Sequence, residues 1–143
     1  MCTIVNLQST IVNLQSTINY MLEKGIKGYG EQVVENKDTA KAYGSGLVDV
    51  YATPAMIGLM ENTAHLSVKD LLPEGSISVG TLVNIEHLRA TPLGETVRCE
   101  TVLEVVDGRK LRFSVAAYDS KGMIGKGTHE RFVVNVEKFM SKL

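Results

Sequence analysis

The chain has 143 residues, of which 44% are hydrophobic and 22% are charged, and its formal net charge is -1. This composition is typical of one globular domain with a sizeable core. The balanced charge argues against nucleic acid as a partner, and no apolar run is long enough to cross a membrane. The two cysteines, Cys2 and Cys99, have no disulfide-framework or metal-ligand spacing, so we expect reduced thiols and no metal.

The N-terminal segment is a tandem duplication, in which the heptad Thr3–Ser9 is repeated as Thr10–Ser16. Apolar residues at intervals of three and four permit a short amphipathic helix, but Thr, Val, Asn and Ser form helices poorly. We interpret residues 1–24 as an extension, helical or disordered, and residues 25–143 as the domain. We favour an extension without a role over a dimerisation or docking helix.

The most informative stretch is almost free of charge and predicts a buried helix from Pro54 to about Leu71. Thr53 can cap the first turn with its hydroxyl, and Pro54 suits the first helical position. The carboxylate of Glu61 lies at the edge of the apolar stripe of this helix. Because burial of an unpaired carboxylate is costly, Glu61 either reaches solvent, pairs with a charge or faces a pocket.

Strands surround this helix in the sequence. Glu31–Glu35 is the predicted first strand, and four more follow the helix: Ile77–Ala90, Thr96–Val106, Lys110–Tyr118 and Thr128–Val136. The turn residues between them, such as Asp107-Gly108, are typical of antiparallel connections. We therefore predict an α+β fold in which about five antiparallel strands wrap around one long central helix.

Three residues outside the helix are candidates for function. Strict alternation predicts that His87 faces the helix at the end of a row that begins at Ile77, where it either transfers protons or is only hydrogen-bonded. Gly80 in the same strand indicates a bulge, a close approach of a ligand, or a simple bend. Arg131, in the segment that opens the last strand, is a candidate contact for an anionic group, although most arginines are exposed.

Several separated blocks, in the same order, resemble hot-dog-fold thioesterases of the fluoroacetyl-CoA thioesterase type. The blocks are Ala52–Met56, Leu59–Glu61, Ser78–Thr81, His87, Ala90–Gly94, Gly125, Gly127–Arg131 and Glu137–Phe139. The resemblance extends from about Gly25 to Phe139 and leaves out the duplicated N-terminus.

The resemblance implies a hot-dog homodimer, in which two sheets join edge to edge and the active sites lie at the subunit interface. It further implies that Thr53, Glu61 and His87 form a catalytic triad, and that Gly80 and Arg131 contact the acyl-CoA substrate. Coenzyme A belongs to the substrate in such enzymes, and no separate cofactor is expected.

These residue types suit thioester hydrolysis, which needs a nucleophile, a proton donor for the thiolate and donors for the carbonyl oxygen. Glu61 can attack the carbonyl or activate water, His87 can transfer protons, and Thr53 can orient or attack. The backbone N–H at or near Gly80 is our candidate oxyanion donor. The residues leave open whether Thr53 or Glu61 is the nucleophile.

The predicted substrate follows from a departure from the family pattern. Fluoroacetyl-selective members carry a phenylalanine-rich lid before the helix, whereas Ala42–Val48 contains no phenylalanine. We therefore expect a broader short-chain acyl-CoA thioesterase. One alternative is a non-catalytic acyl-CoA-binding regulatory module. A hot-dog hydratase or dehydratase would need a His/Asp pair near the helix, and we find none.

The last three residues, Ser141–Leu143, match a peroxisomal targeting signal. A match of three residues is weak, so we interpret it as coincidental. The N-terminus lacks the features of a signal peptide, and we expect a cytoplasmic protein.

Overall fold

The computed structural model describes residues 22–143, so the duplicated heptads of residues 3–16 lie outside the described part. The strands are β1 (Lys27–Val33), β2 (Ser76–His87), β3 (Thr96–Asp107), β4 (Lys110–Asp119) and β5 (Gly122–Asn135). The long helix is α2 (Thr53–Val68), and the two short helices are α1 (Ala40–Tyr43) and α3 (Val136–Ser141).

The five strands form one antiparallel sheet in the order β1-β3-β4-β5-β2, which leaves β1 and β2 at its edges. The core lies between α2 and the sheet, because both bury apolar side chains there. These include Met56, Met60, Ala64 and Val68 of α2, Val97, Cys99 and Leu103 of β3, and Leu111, Phe113, Val115 and Ala117 of β4. The predicted α+β architecture is confirmed.

Helix α2 sits very close to β1, and Gly28 makes this approach possible. A Cβ atom at Gly28 would lie 2.9 Å from both the Ser67 Cβ atom and the Thr63 carbonyl oxygen. The absence of a side chain at Gly28 thus allows α2 to pack this closely against β1.

Several predicted boundaries were wrong by a few residues. The first strand starts at Lys27 rather than Glu31, and the last starts at Gly122 rather than Thr128. Glycines depress strand propensity, but Gly125 and Gly127 pair across the sheet with β2 and so belong to β5. The helix ends at Val68 and continues as a short 3-10 turn to Leu71.

A β-bulge in β2 overturns the predicted alternation along this strand. Gly80 pairs with Arg131 and Leu82 pairs with Glu130, so Thr81 is an extra residue without a partner. An inserted residue reverses the facing of everything before it relative to everything after it. Ile77 is therefore exposed instead of facing the helix, whereas His87, beyond the bulge, faces it as predicted.

Candidate active site

Thr53 is the first residue of α2, and its hydroxyl does not cap the helix. Ala52 occupies the N-cap position with an extended backbone, and no side chain caps the first turn. The predicted capping role of Thr53 is therefore wrong. Its hydroxyl oxygen instead lies 2.7 Å from Nδ1 of His87.

His87 is the last residue of β2, and it lies at the end of the sheet where α2 begins. It pairs with Gly125, where a Cβ atom would lie 2.6 Å from the Met56 side chain, so this glycine gives the helix start room to approach. Burial lowers the pKa of His87, and a backbone contact with Arg89 only partly opposes this shift. The imidazole is therefore neutral near pH 7, and Nδ1 can accept a hydrogen bond from the Thr53 hydroxyl.

The Thr53–His87 pair opens into a cavity of about 450 Å³. The cavity is lined by Ala40, Ser45, Val50, Tyr51, Thr53, His87, Leu88, Arg89 and Ala90. Tyr51, which precedes the helix, is held by a hydrogen bond of 2.6 Å from its hydroxyl to Gln32 Oε1. The wall next to the pair is thus fixed, which suits a site that must hold a substrate in one orientation.

Glu61 lies apart from this pair within the chain. It follows Thr53 by eight positions, which corresponds to about 12 Å along the helix axis. Its Oε2 atom lies 3.6 Å from Nη1 of Arg131, and 41% of its side chain is exposed. Of the three alternatives that its position left open, Glu61 thus combines two, because it contacts a charged partner and its side chain also reaches solvent.

Arg131 is a buried cation with several acceptors. Its Nε donates to Ser78 Oγ at 2.8 Å, and its Nη2 donates to the Ser78 carbonyl oxygen at 2.9 Å. Burial lowers the pKa of Arg131, while the neighbouring Glu61 carboxylate raises it. Unlike most arginines, Arg131 is buried, and it forms a polar cluster under α2 with Ser78, His129 and Glu61.

Gly80 lies against the same cluster. A Cβ atom there would lie 2.6 Å from Glu61 Oε2 and 3.5 Å from Arg131 Nη1. Within the chain, the group that approaches Gly80 closely is therefore the carboxylate of the catalytic candidate Glu61. The five predicted residues therefore form two groups, Thr53 with His87, and Glu61 with Gly80 and Arg131.

Sequence reasoning missed His129, which is fully buried beside Arg131. Its Nε2 lies 3.1 Å from Arg131 Nη1, and its Nδ1 lies 2.8 Å from the Leu82 carbonyl oxygen. Burial is the largest influence on its pKa and lowers it, and the Arg131 charge acts in the same direction. The available signal was the alternation of Gly127, His129 and Arg131, which puts all three on the face of β5 that meets the helix.

Within residues 22–143, no three histidine, cysteine or acidic side chains converge as they would around a metal ion. None of the helices in this range combines the length and hydrophobicity that crossing a bilayer requires.

Comparison with known proteins agrees with this geometry. The family model described as fluoroacetyl-CoA-specific thioesterase matches residues 34–137. A fluoroacetyl-CoA thioesterase from Streptantibioticus cattleyicolor is 42% identical over 95 residues, which cover 66% of this chain and 68% of that protein.

Solved structures give the same result. A threonine-to-serine variant of the fluoroacetyl-CoA thioesterase in complex with acetyl-CoA aligns with a TM-score of 0.81 and 35% identity, covering 85% of this chain and 96% of that one. A hot-dog-like protein from Thermanaerovibrio acidaminovorans aligns with a TM-score of 0.80 and 26% identity, covering 87% and 93%. The resemblance inferred from the sequence blocks is confirmed, and the chain belongs to the fluoroacetyl-CoA-specific thioesterase family, a family of thioester hydrolases with the hot-dog fold.

Proposed function

We propose that this protein hydrolyses short-chain acyl-CoA thioesters to the free acid and CoA, with Thr53, Glu61 and His87 as its catalytic residues. The observation that carries the proposal is the 2.7 Å contact between Thr53 Oγ1 and His87 Nδ1 at the wall of a cavity. A hydroxyl paired with a neutral imidazole is an arrangement that activates an oxygen nucleophile or orients a water molecule.

The reaction needs a proton balance that these groups can supply. As a hydroxyl or water oxygen adds to the acyl carbon, the neutral His87 takes up its proton; the C–S bond then breaks, and His87 gives this proton to the departing CoA thiolate. If the Glu61 carboxylate adds instead, it has no proton to lose, and His87 gives the thiolate a ring proton that it regains from the water that hydrolyses the acyl-enzyme. Water supplies the hydroxyl of the product acid, either directly or by hydrolysing an acyl-enzyme on Glu61 or Thr53. The backbone N–H at or near Gly80 is the proposed donor to the carbonyl oxygen, and Arg131 adds positive charge nearby.

A homodimer would bring the two groups of residues together. Since β2 is an edge strand, its outer edge is available for pairing with another copy. Its central residues Leu82 and Val83 are 46% and 43% exposed, which is unusual for apolar side chains in mid-strand. If β2 pairs antiparallel with its copy about a midpoint between Val83 and Asn84, Gly80 of one chain lies opposite His87 of the other.

With this register, the dimer would bring together the residues that are needed for catalysis. Gly80 lies beside Glu61, and His87 lies beside Thr53, so the pairing sets the Glu61 group of one chain against the Thr53–His87 group of the other. We therefore propose composite active sites, each built from two chains, as the family resemblance implies.

The proposed substrate is a short acyl group on CoA. The relatives described above include a fluoroacetyl-CoA thioesterase and a variant in complex with acetyl-CoA. Fluoroacetyl-CoA and acetyl-CoA are both thioesters of short acyl groups. The segment before α2 has no phenylalanine between Ala42 and Val48, which favours broader selectivity than that of fluoroacetyl-selective members.

We also propose a cytoplasmic location, in keeping with the buried, reduced thiol of Cys99.

The test is thiol release from acetyl-, fluoroacetyl-, propionyl- and butyryl-CoA by the purified full-length chain, compared with Glu61→Ala and His87→Ala. We expect several substrates to be hydrolysed and each variant to lose at least about 10²-fold in kcat/KM. Binding of acyl-CoA by calorimetry without thiol release would overturn the proposal and favour a non-catalytic acyl-CoA-binding module.

A further inference from the structure

His129 is buried completely, yet it is a polar residue with two hydrogen-bonding ring nitrogens. Both nitrogens have partners, Arg131 Nη1 at 3.1 Å and the Leu82 carbonyl oxygen at 2.8 Å. The ring also stacks on Phe113, with 6.3 Å between centroids. The two hydrogen bonds, one at each ring nitrogen, fix the orientation of the ring, and Phe113 only packs against it.

The partners also decide where its proton lies. Arg131 can only donate, so Nε2 of His129 must carry the lone pair that accepts from Nη1. The carbonyl of Leu82 can only accept, so Nδ1 must carry the proton. Both contacts therefore require the same neutral tautomer, and protonation of Nε2 would place a second cation against the guanidinium.

The Arg131 guanidinium in turn is held by three acceptors. Ser78 accepts from Nε and Nη2, which fixes one edge of the guanidinium plane, and His129 accepts from Nη1, which fixes the other. Nη1 is the atom that lies 3.6 Å from Glu61 Oε2, so the nitrogen that His129 holds is the one that faces the catalytic carboxylate.

From this chain of contacts we propose that His129 is a positioning residue, which fixes the Arg131 guanidinium beside Glu61 by accepting a hydrogen bond at Nε2. The proposal rests on the proposed function of Glu61 and Arg131. His129 itself touches no reacting atom, and it acts through Arg131.

The β-bulge in β2 also contributes to holding His129 in place. The extra residue Thr81 changes the register between β2 and β5, so that Gly80 pairs with Arg131 and Val83 pairs with His129. The Leu82 carbonyl, immediately after the bulge, is the acceptor for Nδ1 of His129. The bulge thus supplies both the space over Gly80 for Glu61 and the anchor that fixes the histidine tautomer.

The test compares His129→Leu, which removes the acceptor, with His129→Gln, which keeps one acceptor and one donor. Loss of one hydrogen bond to a buried charged group predicts a fall of about 10- to 100-fold in kcat/KM for His129→Leu. We expect His129→Gln to recover most of this loss. Phe113→Leu is the matched control, because it removes packing against the same ring but leaves the acceptor for Arg131, and its kcat/KM should stay within about threefold of wild type at equal fraction folded.

A second measurement is independent of activity, and its first readout, the tautomer of His129, needs only the wild-type protein. In wild-type protein labelled with ¹⁵N at histidine and arginine, His129 should show the Nδ1–H tautomer and remain neutral below about pH 6.5, where free histidine titrates. The Nε–H resonance of Arg131 should be sharp and should broaden in His129→Leu. An Nε2–H tautomer of His129, or its titration near pH 6.5 like that of a free histidine, would overturn the proposal. Equal kcat/KM in His129→Leu and wild type would overturn it as well.

These readouts separate the two hypotheses. If wild type releases no thiol from any acyl-CoA, the proposed function fails, and the tautomer and the Arg131 resonance still decide whether His129 holds Arg131. If wild type is active and the resonances behave as expected while His129→Leu keeps full activity, only the positioning role fails.

Discussion

The hydroxyl oxygen of Thr53 lies 2.7 Å from Nδ1 of His87, although 34 positions separate the two residues in the sequence. Thr53 begins α2 and His87 ends β2, so the contact joins the start of the helix to the end of an edge strand. Burial keeps the imidazole neutral near pH 7, which leaves Nδ1 free to accept the hydroxyl proton. The pair is therefore ready for proton transfer without any rearrangement of the chain.

The first prediction concerns this hydroxyl. Thr53→Val keeps the shape of the side chain and replaces the hydroxyl with a methyl group, so we expect kcat/KM for short acyl-CoAs to fall about 10²-fold or more. Thr53→Ser keeps the oxygen and should stay within about tenfold of wild type. Steady-state thiol release measures both, and circular dichroism checks that the variants are folded. Equal activity of Thr53→Val and wild type would remove Thr53 from the mechanism.

The second prediction tests whether the active sites are composite. Thr53→Ala and Glu61→Ala should each be inactive alone, because each variant breaks both sites of its own dimer. A mixed dimer has one doubly broken site and one site with both wild-type residues. Unfolding, mixing and refolding the two variants should therefore restore about a quarter of wild-type activity, since half of the dimers are mixed and each has one intact site.

The control for this experiment is a mixture of Thr53→Ala with His87→Ala. Both residues belong to the same group, so every site in every mixed dimer is broken and no activity should return. No recovery in the Thr53→Ala and Glu61→Ala mixture would mean that each site is built within one chain, despite the separation of Glu61 from Thr53.

The fold could be predicted because its signals are local. An apolar segment that begins at Thr53-Pro54, and turn residues such as Asp107-Gly108, determine a helix followed by antiparallel strands. The pairing of Glu61 with Arg131 could not be predicted in the same way. It depends on how β2 pairs with β5, and that register contains a bulge at Thr81.

The role of His129 also could not be predicted from the sequence. A single histidine in a strand is most often an ordinary hydrogen-bonded residue, and its sequence neighbours do not reveal its partners. Its role becomes visible only when the Leu82 carbonyl and the Arg131 guanidinium are seen on either side of the ring. Gly80 did give a usable signal, because a strand glycine often indicates a bulge, and β2 has a bulge directly after Gly80.

The third prediction concerns the space above Gly80. In Gly80→Ala the new Cβ atom would lie 2.6 Å from Glu61 Oε2, so the carboxylate must move. We expect kcat/KM to fall by about 10- to 100-fold, since a displacement of about 1 Å in a catalytic group has an effect of this size. The free energy of unfolding should change by no more than about 1–2 kcal/mol, because the nearest atom is the end of a half-exposed side chain, while the new Cβ atom would also lie 3.3 Å from Cε1 of the buried His129.

Gly58→Ala is the matched control for this substitution. Gly58 is an exposed glycine within α2, and a Cβ atom there would meet no atom within 4 Å. The variant should be more stable by about 0.5–1 kcal/mol through helix propensity and should keep its activity. Kinetics and urea denaturation measure both variants, and unchanged kcat/KM in Gly80→Ala would show that the Glu61 position is not critical.

The fourth prediction concerns Asp119, a buried carboxylate close to the cavity wall. It accepts hydrogen bonds from Arg89 Nη2 at 2.6 Å, Thr91 Oγ1 at 2.9 Å and the Lys121 backbone N–H at 2.9 Å. Burial alone would raise the pKa of Asp119, but these donors outweigh it and hold the pKa below its usual range. Because the folded state favours the charged form, this stabilisation is present above about pH 3.9, the ordinary value for aspartate, and is lost as the pH falls through the folded-state pKa.

Asp119→Ala should therefore destabilise the protein by about 2–4 kcal/mol at pH 7, because Arg89 and Thr91 lose their acceptor. The difference from wild type should be smaller at about pH 3 than at pH 7, because the stabilisation by the charged form is lost as the pH falls below the ordinary aspartate value of about 3.9. Urea denaturation at both pH values measures this change. Glu104→Ala is the control, because its hydrogen bond to Ser114 is exposed, and it should change the stability by no more than about 0.5 kcal/mol at either pH. A loss of the same size for Asp119→Ala at both pH values would show that the charge of Asp119 contributes nothing beyond packing.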